Sequence, residues 1–62
     1  LLSEKEHQIL KCVSARQSVS RTEIEAETGL SQSATIRALK RLLELGLIQK
    51  RGNGKNTRYF SA

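Results

Sequence analysis

From Ser31 to Gly46, apolar and polar residues fall on two sides of a helix. At about 100° per residue, Thr35, Ile36, Ala38, Leu39, Leu42, Leu43 and Leu45 share one broad side. Ser33, Arg37, Lys40, Arg41 and Glu44 take the other, with Ala34 at its margin. Ser31 is placed to cap the first turn with its hydroxyl. Gly46 is placed to end the helix, because it takes a left-handed conformation at little cost. The apolar side predicts a buried contact. The polar side presents three cations, small polar groups and one acid.

Two shorter helices precede it. Ser3-Glu4-Lys5-Glu6 has the capping-box form and predicts a first helix from about Glu4 to Ser14. Leu2, Ile9, Leu10 and Val13 give that helix an apolar stripe, with Cys12 near its edge as a small buried hydrophobe. Ala15 to Ser18 reads as a loop, and a single β bridge fits Ser18-Val19-Ser20. Ser20-Arg21-Thr22-Glu23 repeats the capping box and predicts a second helix over Arg21–Thr28, anchored by Ile24. Gly29-Leu30-Ser31 then turns the chain, with Leu30 plugging the corner. A helix, a short glycine turn and a helix with a basic outer face make a helix-turn-helix arrangement. The first two helices carry a Glu at their third position. The third has Ala34 there and no acid in its first turn, which leaves its end open to an anion.

Beyond Gly46 the pattern changes to short strands. Leu47–Arg51 and Lys55–Ser61 flank Gly52-Asn53-Gly54, and Asn-Gly between strand-like runs predicts a hairpin with a type I′ turn. Leu47, Ile48, Tyr59 and Phe60 are its expected anchors. The fold class expected is therefore mainly α with a small β-hairpin.

Length and charge narrow the use of such a fold. Sixty-two residues make a single domain with a small core, and beginning at Leu1 rather than methionine reads as a piece of a larger protein. The net charge is +5 and is unevenly spread. Residues 1–30 hold four cations against five acids, whereas residues 31–62 hold seven against one. The positive excess thus lies in the third helix and the hairpin, as a polyanion partner requires. One cysteine excludes an internal disulfide and suits a reducing cytoplasm. No apolar run approaches a membrane span.

Catalysis finds no support. His7 has no second base or ligand at useful spacing, and Glu23, Glu25 and Glu27 alternate on a helix and do not converge. No nucleophile stands beside a base and no metal-ligand set occurs, so neither enzyme activity nor cofactor is expected.

Thr22-Glu23-Ile24 through Thr28-Gly29-Leu30-Ser31, Ser33-Ala34-Thr35 through Arg41-Leu42, and Leu45-Gly46-Leu47-Ile48 leading into Gly52-Asn53-Gly54 resemble the winged helix-turn-helix superfamily. Gly-Leu-Ser-Gln-Ser followed by a helix and Leu-Gly-Leu-Ile is similar to regulators of the MarR, IclR and ArsR kinds. The resemblance implies a three-helix winged domain that binds double-stranded DNA in transcription regulation. It implies that Gln32, Ser33, Ala34, Arg37 and Arg41, with Lys40 beside them, face the major groove. Lys50, Arg51, Asn53, Lys55 and Arg58 form the wing, on the backbone or adjacent minor groove. MarR-type regulators add dimerising helices at both ends, so any homodimer would use regions outside this chain. Glu25 departs from the pattern, since many such domains place a small residue there. The alternative reading is a winged-helix protein–protein interaction module of a larger multidomain protein.

Overall fold

The computed structural model describes residues 2–62, the side chain of Lys55 excepted. Three helices are followed by a hairpin: α1 (Glu4–Arg16), β1 (Ser18–Val19), α2 (Arg21–Thr28), α3 (Gln32–Glu44), β2 (Ile48–Arg51) and β3 (Arg58–Ser61). β3 is the middle strand of an antiparallel sheet, with β1 on one edge and β2 on the other.

The helix starts follow the caps. Ser3 and Glu6 exchange both capping-box bonds at 2.9 and 3.2 Å, and Ser20 and Glu23 do so at 2.8 and 3.3 Å. The Ser31 hydroxyl caps from one side only, accepting the Ala34 N–H at 3.2 Å. α1 runs two residues beyond the predicted Ser14, to Arg16. Arg16 favours that extension, because a cation suits a helix C-terminus and its Nε reaches Glu27 at 2.8 Å. The helix then ends at Gln17, which holds φ +69°. α3 ends in a Schellman motif: Leu47 N–H donates to the Leu42 carbonyl at 3.0 Å, Gly46 N–H to Leu43 at 3.1 Å, and Gly46 takes φ +75°.

One core joins all three helices and two of the strands. Ile9, Cys12 and Val13 come from α1, Val19 from β1, Ile24 from α2, Ala38, Leu39 and Leu42 from α3, and Ile48 from β2. Thr35 is the one polar residue buried among the described residues, and its hydroxyl is satisfied by donating to the Ser31 carbonyl at 2.8 Å. Leu30 packs against the core at the α2–α3 corner, as predicted. Two residues assigned to the apolar side of α3 are not covered: Ile36 is 45% exposed and Leu45 50%. Both sit at the flanks of a stripe centred between Thr35 and Leu42, outside the part that the other elements cover. Leu47, expected to anchor the hairpin, is also exposed.

The hairpin forms, but not through a type I′ turn. Asn53 is extended at φ −131°, and Gly54–Asn56 make a 3₁₀ turn closed by Asn56 N–H on the Asn53 carbonyl at 3.0 Å. Arg51 pairs with Arg58, so residues 52–57 form the loop. The reason lies on the far edge of β3. Ser18 pairs with Phe60 and Val19 with Tyr59, so β3 is held in place away from the turn. The loop takes the length that this register leaves.

Candidate nucleic-acid interface

Burial of Thr35, Ala38, Leu39 and Leu42 turns the opposite arc of α3 outward. Gln32, Ser33, Arg37, Lys40 and Arg41 are exposed there, and Ala34 is half-buried. Arg37 and Lys40 have no acid partner among the described residues, and the first turn of α3 carries no acid. Arg41 differs. Its Nε lies 3.2 Å from a Glu6 carboxylate oxygen on α1. A cleft between the start of α1 and α3, lined by Lys5, Glu6, Ala34 and Arg37, continues this contact.

The wing cations are placed differently from one another. Lys50 is exposed and borders a groove between β2 and the start of α2, with Arg21, Thr22 and Tyr59 on its walls. Arg51 stacks over the Phe60 ring, 5.7 Å from its centroid, a cation–π contact. Asn53 is exposed at the loop tip. The side chain of Lys55 lies outside the described residues. Arg58, though exposed, reaches from the middle strand across to β1, where its Nε donates to Ser18 Oγ at 2.8 Å. Its Nη2 donates to the Ser18 carbonyl and to Glu23 Oε1, both at 3.1 Å. This relieves the like-charge pairing of Arg51 with Arg58 across the strands.

Arg37 and Arg41 thus border α1, while Lys50 and Arg58 border the start of α2. Among the described residues no hydrogen bond or ion pair joins the two sets. The acids of α2 each take a different cation: Glu23 takes Arg58, Glu25 takes Arg21 at 3.2 Å, and Glu27 takes Arg16. The Arg21–Glu25 approach lies off the hydrogen-bond axis, so neither facing atom is hydrogen-bonded. Glu25 is half-buried against its own helix in this way. The Glu23 carboxyl is held below the usual carboxylate range, first by the Ser20 N–H and then by the Arg58 charge.

Sequence reasoning did not bring Arg21 and Thr22 to the same groove as Lys50, because that groove depends on the sheet. It also placed Ile36 in the core. Its position four residues before exposed Lys40 was the available signal that it faces outward.

Comparison with known proteins agrees with this architecture. A MarR family model matches residues 2–58. The chain belongs to the MarR family. Among solved structures, reduced HlyU from Vibrio cholerae superposes with a TM-score of 0.83 at 30% identity, covering 97% of this chain and 63% of HlyU. Lactococcus lactis ZitR, a zinc-responsive MarR family member, gives 0.79 at 25% identity, covering 98% of this chain and 43% of ZitR. A structure of HOP2, described by its DNA recognition and protein interaction domains, gives 0.78 at 25% identity, covering 94% and 98%. No curated protein matches the chain by sequence. This MarR-family chain therefore spans less than two thirds of HlyU and under half of ZitR. Among the described residues, no helix is long and apolar enough to cross a membrane.

Proposed function

We propose that this MarR-family domain binds double-stranded DNA as the reading head of a transcription regulator. α3 enters the major groove, and the wing follows the adjacent backbone. The observation that carries this reading is the outer arc of α3, where Arg37 and Lys40 are exposed and unpaired beside a first turn free of acid. Helix N–H groups and free cations together suit phosphate, and Arg37 also suits a guanine edge. Lys50 supplies a further free cation from the wing side. Gln32, Ser33 and Ala34 lie at the leading end of α3. Arg41 and Arg58 reach DNA only by leaving or sharing Glu6 and Glu23, so they contribute less than the free cations. Asn53, Lys55 and Arg51 form the tip and flank of the wing. A homodimer would use regions outside this chain.

The test is titration of duplex DNA at two salt concentrations. Three free cations on phosphate predict a slope of about −2.7 in log affinity against log salt. Arg37→Glu with Lys40→Glu is expected to weaken binding at least tenfold while leaving the thermal melt unchanged. Affinity indifferent to salt, or unaffected by this pair of reversals, removes the reading.

A further inference from the structure

We infer that Ile36 reads the 5-methyl group of a thymine in the major groove; this rests on the DNA reading above. Ile36 is one of three large apolar residues that the described structure leaves exposed, at 45%. At about 100° per residue, it stands roughly 110° from the middle of the buried stripe. That puts it on the outer arc with Ser33, Arg37 and Lys40. The four form a closed diamond, because Ser33–Ile36 and Arg37–Lys40 are spaced i,i+3, and Ser33–Arg37 and Ile36–Lys40 are spaced i,i+4. A single apolar side chain is therefore set among a hydroxyl and two unpaired cations. Leu45, also exposed, lies about 180° around the helix axis from it. Leu47 lies beyond the helix end. No continuous apolar face connects them, so Ile36 is not the centre of a protein-docking patch, which needs a cluster.

Helix formation does not ask for isoleucine there, since Lys, Arg and Gln rank above it. Its one strongly preferred χ1 in a helix does make it a rigid contact. Among the groups that base edges present in the major groove, the thymine methyl is the apolar one. It lies beside the sugar–phosphate backbone, as Ile36 lies beside Lys40 on the helix surface, one turn away. Gln32, one turn earlier in the same row and also exposed, suits adenine N6 and N7. Together the row fits a site containing A·T pairs.

The test starts from a duplex selected by wild-type protein out of random sequences. Each thymine of that duplex is replaced in turn by deoxyuridine, which lacks only the methyl. At one position the replacement is expected to weaken wild-type binding about threefold to fivefold, the worth of one buried methyl. Ile36→Ala is expected to bind the thymine and deoxyuridine duplexes alike and an unrelated duplex as wild type does, with an unchanged melt. Salt-sensitive binding with no sequence preference, with a preference indifferent to every methyl, or with discrimination retained in Ile36→Ala overturns the inference and leaves the DNA reading standing. Absence of salt-sensitive binding to any duplex overturns both.

Discussion

Glu6 holds Arg41 from across the α1–α3 contact, its Oε2 lying 3.2 Å from the Arg41 Nε. The other Glu6 oxygen accepts the Ser3 N–H at 2.9 Å, so the acid is fixed by its own helix cap. The Glu6 side chain is 12% exposed and that of Arg41 52%, so the cation is the partner free to swing away. A phosphate must compete with Glu6 for it. Glu6→Gln keeps the capping box, which glutamine also closes, and removes the competing charge. The variant is expected to bind duplex DNA more tightly, with a salt slope steeper by about 0.9, one additional phosphate contact. Its stability should fall by no more than about 1 kcal/mol, as for a half-exposed ion pair. An unchanged slope in anisotropy titrations means that Arg41 does not reach phosphate.

Arg58 ties the middle strand to β1 and to the start of α2 through three donated bonds. Arg58→Ala should therefore destabilise the fold by about 1–2 kcal/mol in urea unfolding. Arg58→Lys should not restore it, because one ammonium cannot span the positions of a guanidinium fork. A variant that is as stable as wild type but weak on DNA would instead make Arg58 a wing contact.

The same junction sets an acid response. The Glu23 carboxyl is lowered on folding from an ordinary value of 4.5. Its stabilising effect is whole above that value and is lost as pH falls through the lowered folded one. The leading cause is the Ser20 N–H, which Arg58→Ala leaves in place. Urea midpoints from pH 7 to pH 3 should fall less steeply in Glu23→Gln than in wild type, while Arg58→Ala keeps most of the slope. Equal slopes for wild type and Glu23→Gln would remove Glu23 as a source of acid sensitivity.

Local rules made the helices legible. Ser3, Ser20 and Ser31 mark their starts, and Gly29 and Gly46 sit at positive φ at or just past the ends of α2 and α3. What depended on distant contacts was not legible. The wing loop follows from β3 pairing with Ser18 and Val19, which no Asn-Gly rule contains. The exposure of Ile36 and Leu45 follows from which part of the α3 stripe the other elements pack against, which periodicity alone does not say. For the candidate site, charge counting found the cations but not their partners. Arg41 and Arg58 counted the same as Arg37 and Lys40, although two face acids on other elements and two do not.

Gln17 is the one described non-glycine residue at positive φ, with φ +69° and ψ −42°. It joins α1 to β1 without a glycine, in a sparsely populated conformation outside the left-handed helical region that costs a residue with a Cβ about 1 kcal/mol or more. Gln17→Gly should raise stability by roughly 0.5–1 kcal/mol, read as a melt higher by a few degrees. Gln17→Val should lower it. Gly52 is the reverse case: at φ +92°, an added Cβ would run into the Asn56 carbonyl. Gly52→Ala should therefore disturb the wing loop, seen as amide shifts over residues 52–57, with the α3 signals unmoved.

Cys12 should be chemically quiet in the folded protein. Its thiol is pushed up from 9.0 to about 11, first by burial, then by the hydrogen bond it donates to Glu27 Oε2 at 3.2 Å and by that carboxylate's charge. A thiolate is the reacting species, so a rise of this size leaves about a hundredfold less of it at neutral pH. Iodoacetamide at pH 7.5 should label native protein far more slowly than protein in urea. Glu27→Gln removes the negative charge and should speed native labelling without altering the urea rate. Because the folded thiol titrates above the unfolded one, stability is whole below pH 9 and falls as pH rises toward 11. Cys12→Ala removes the thiol, so its stability should lack that alkaline decline even if it is lower at neutral pH. Rapid native labelling at pH 7.5, or an alkaline decline unchanged in Cys12→Ala, would mean that the thiol is neither covered nor held by Glu27 in solution.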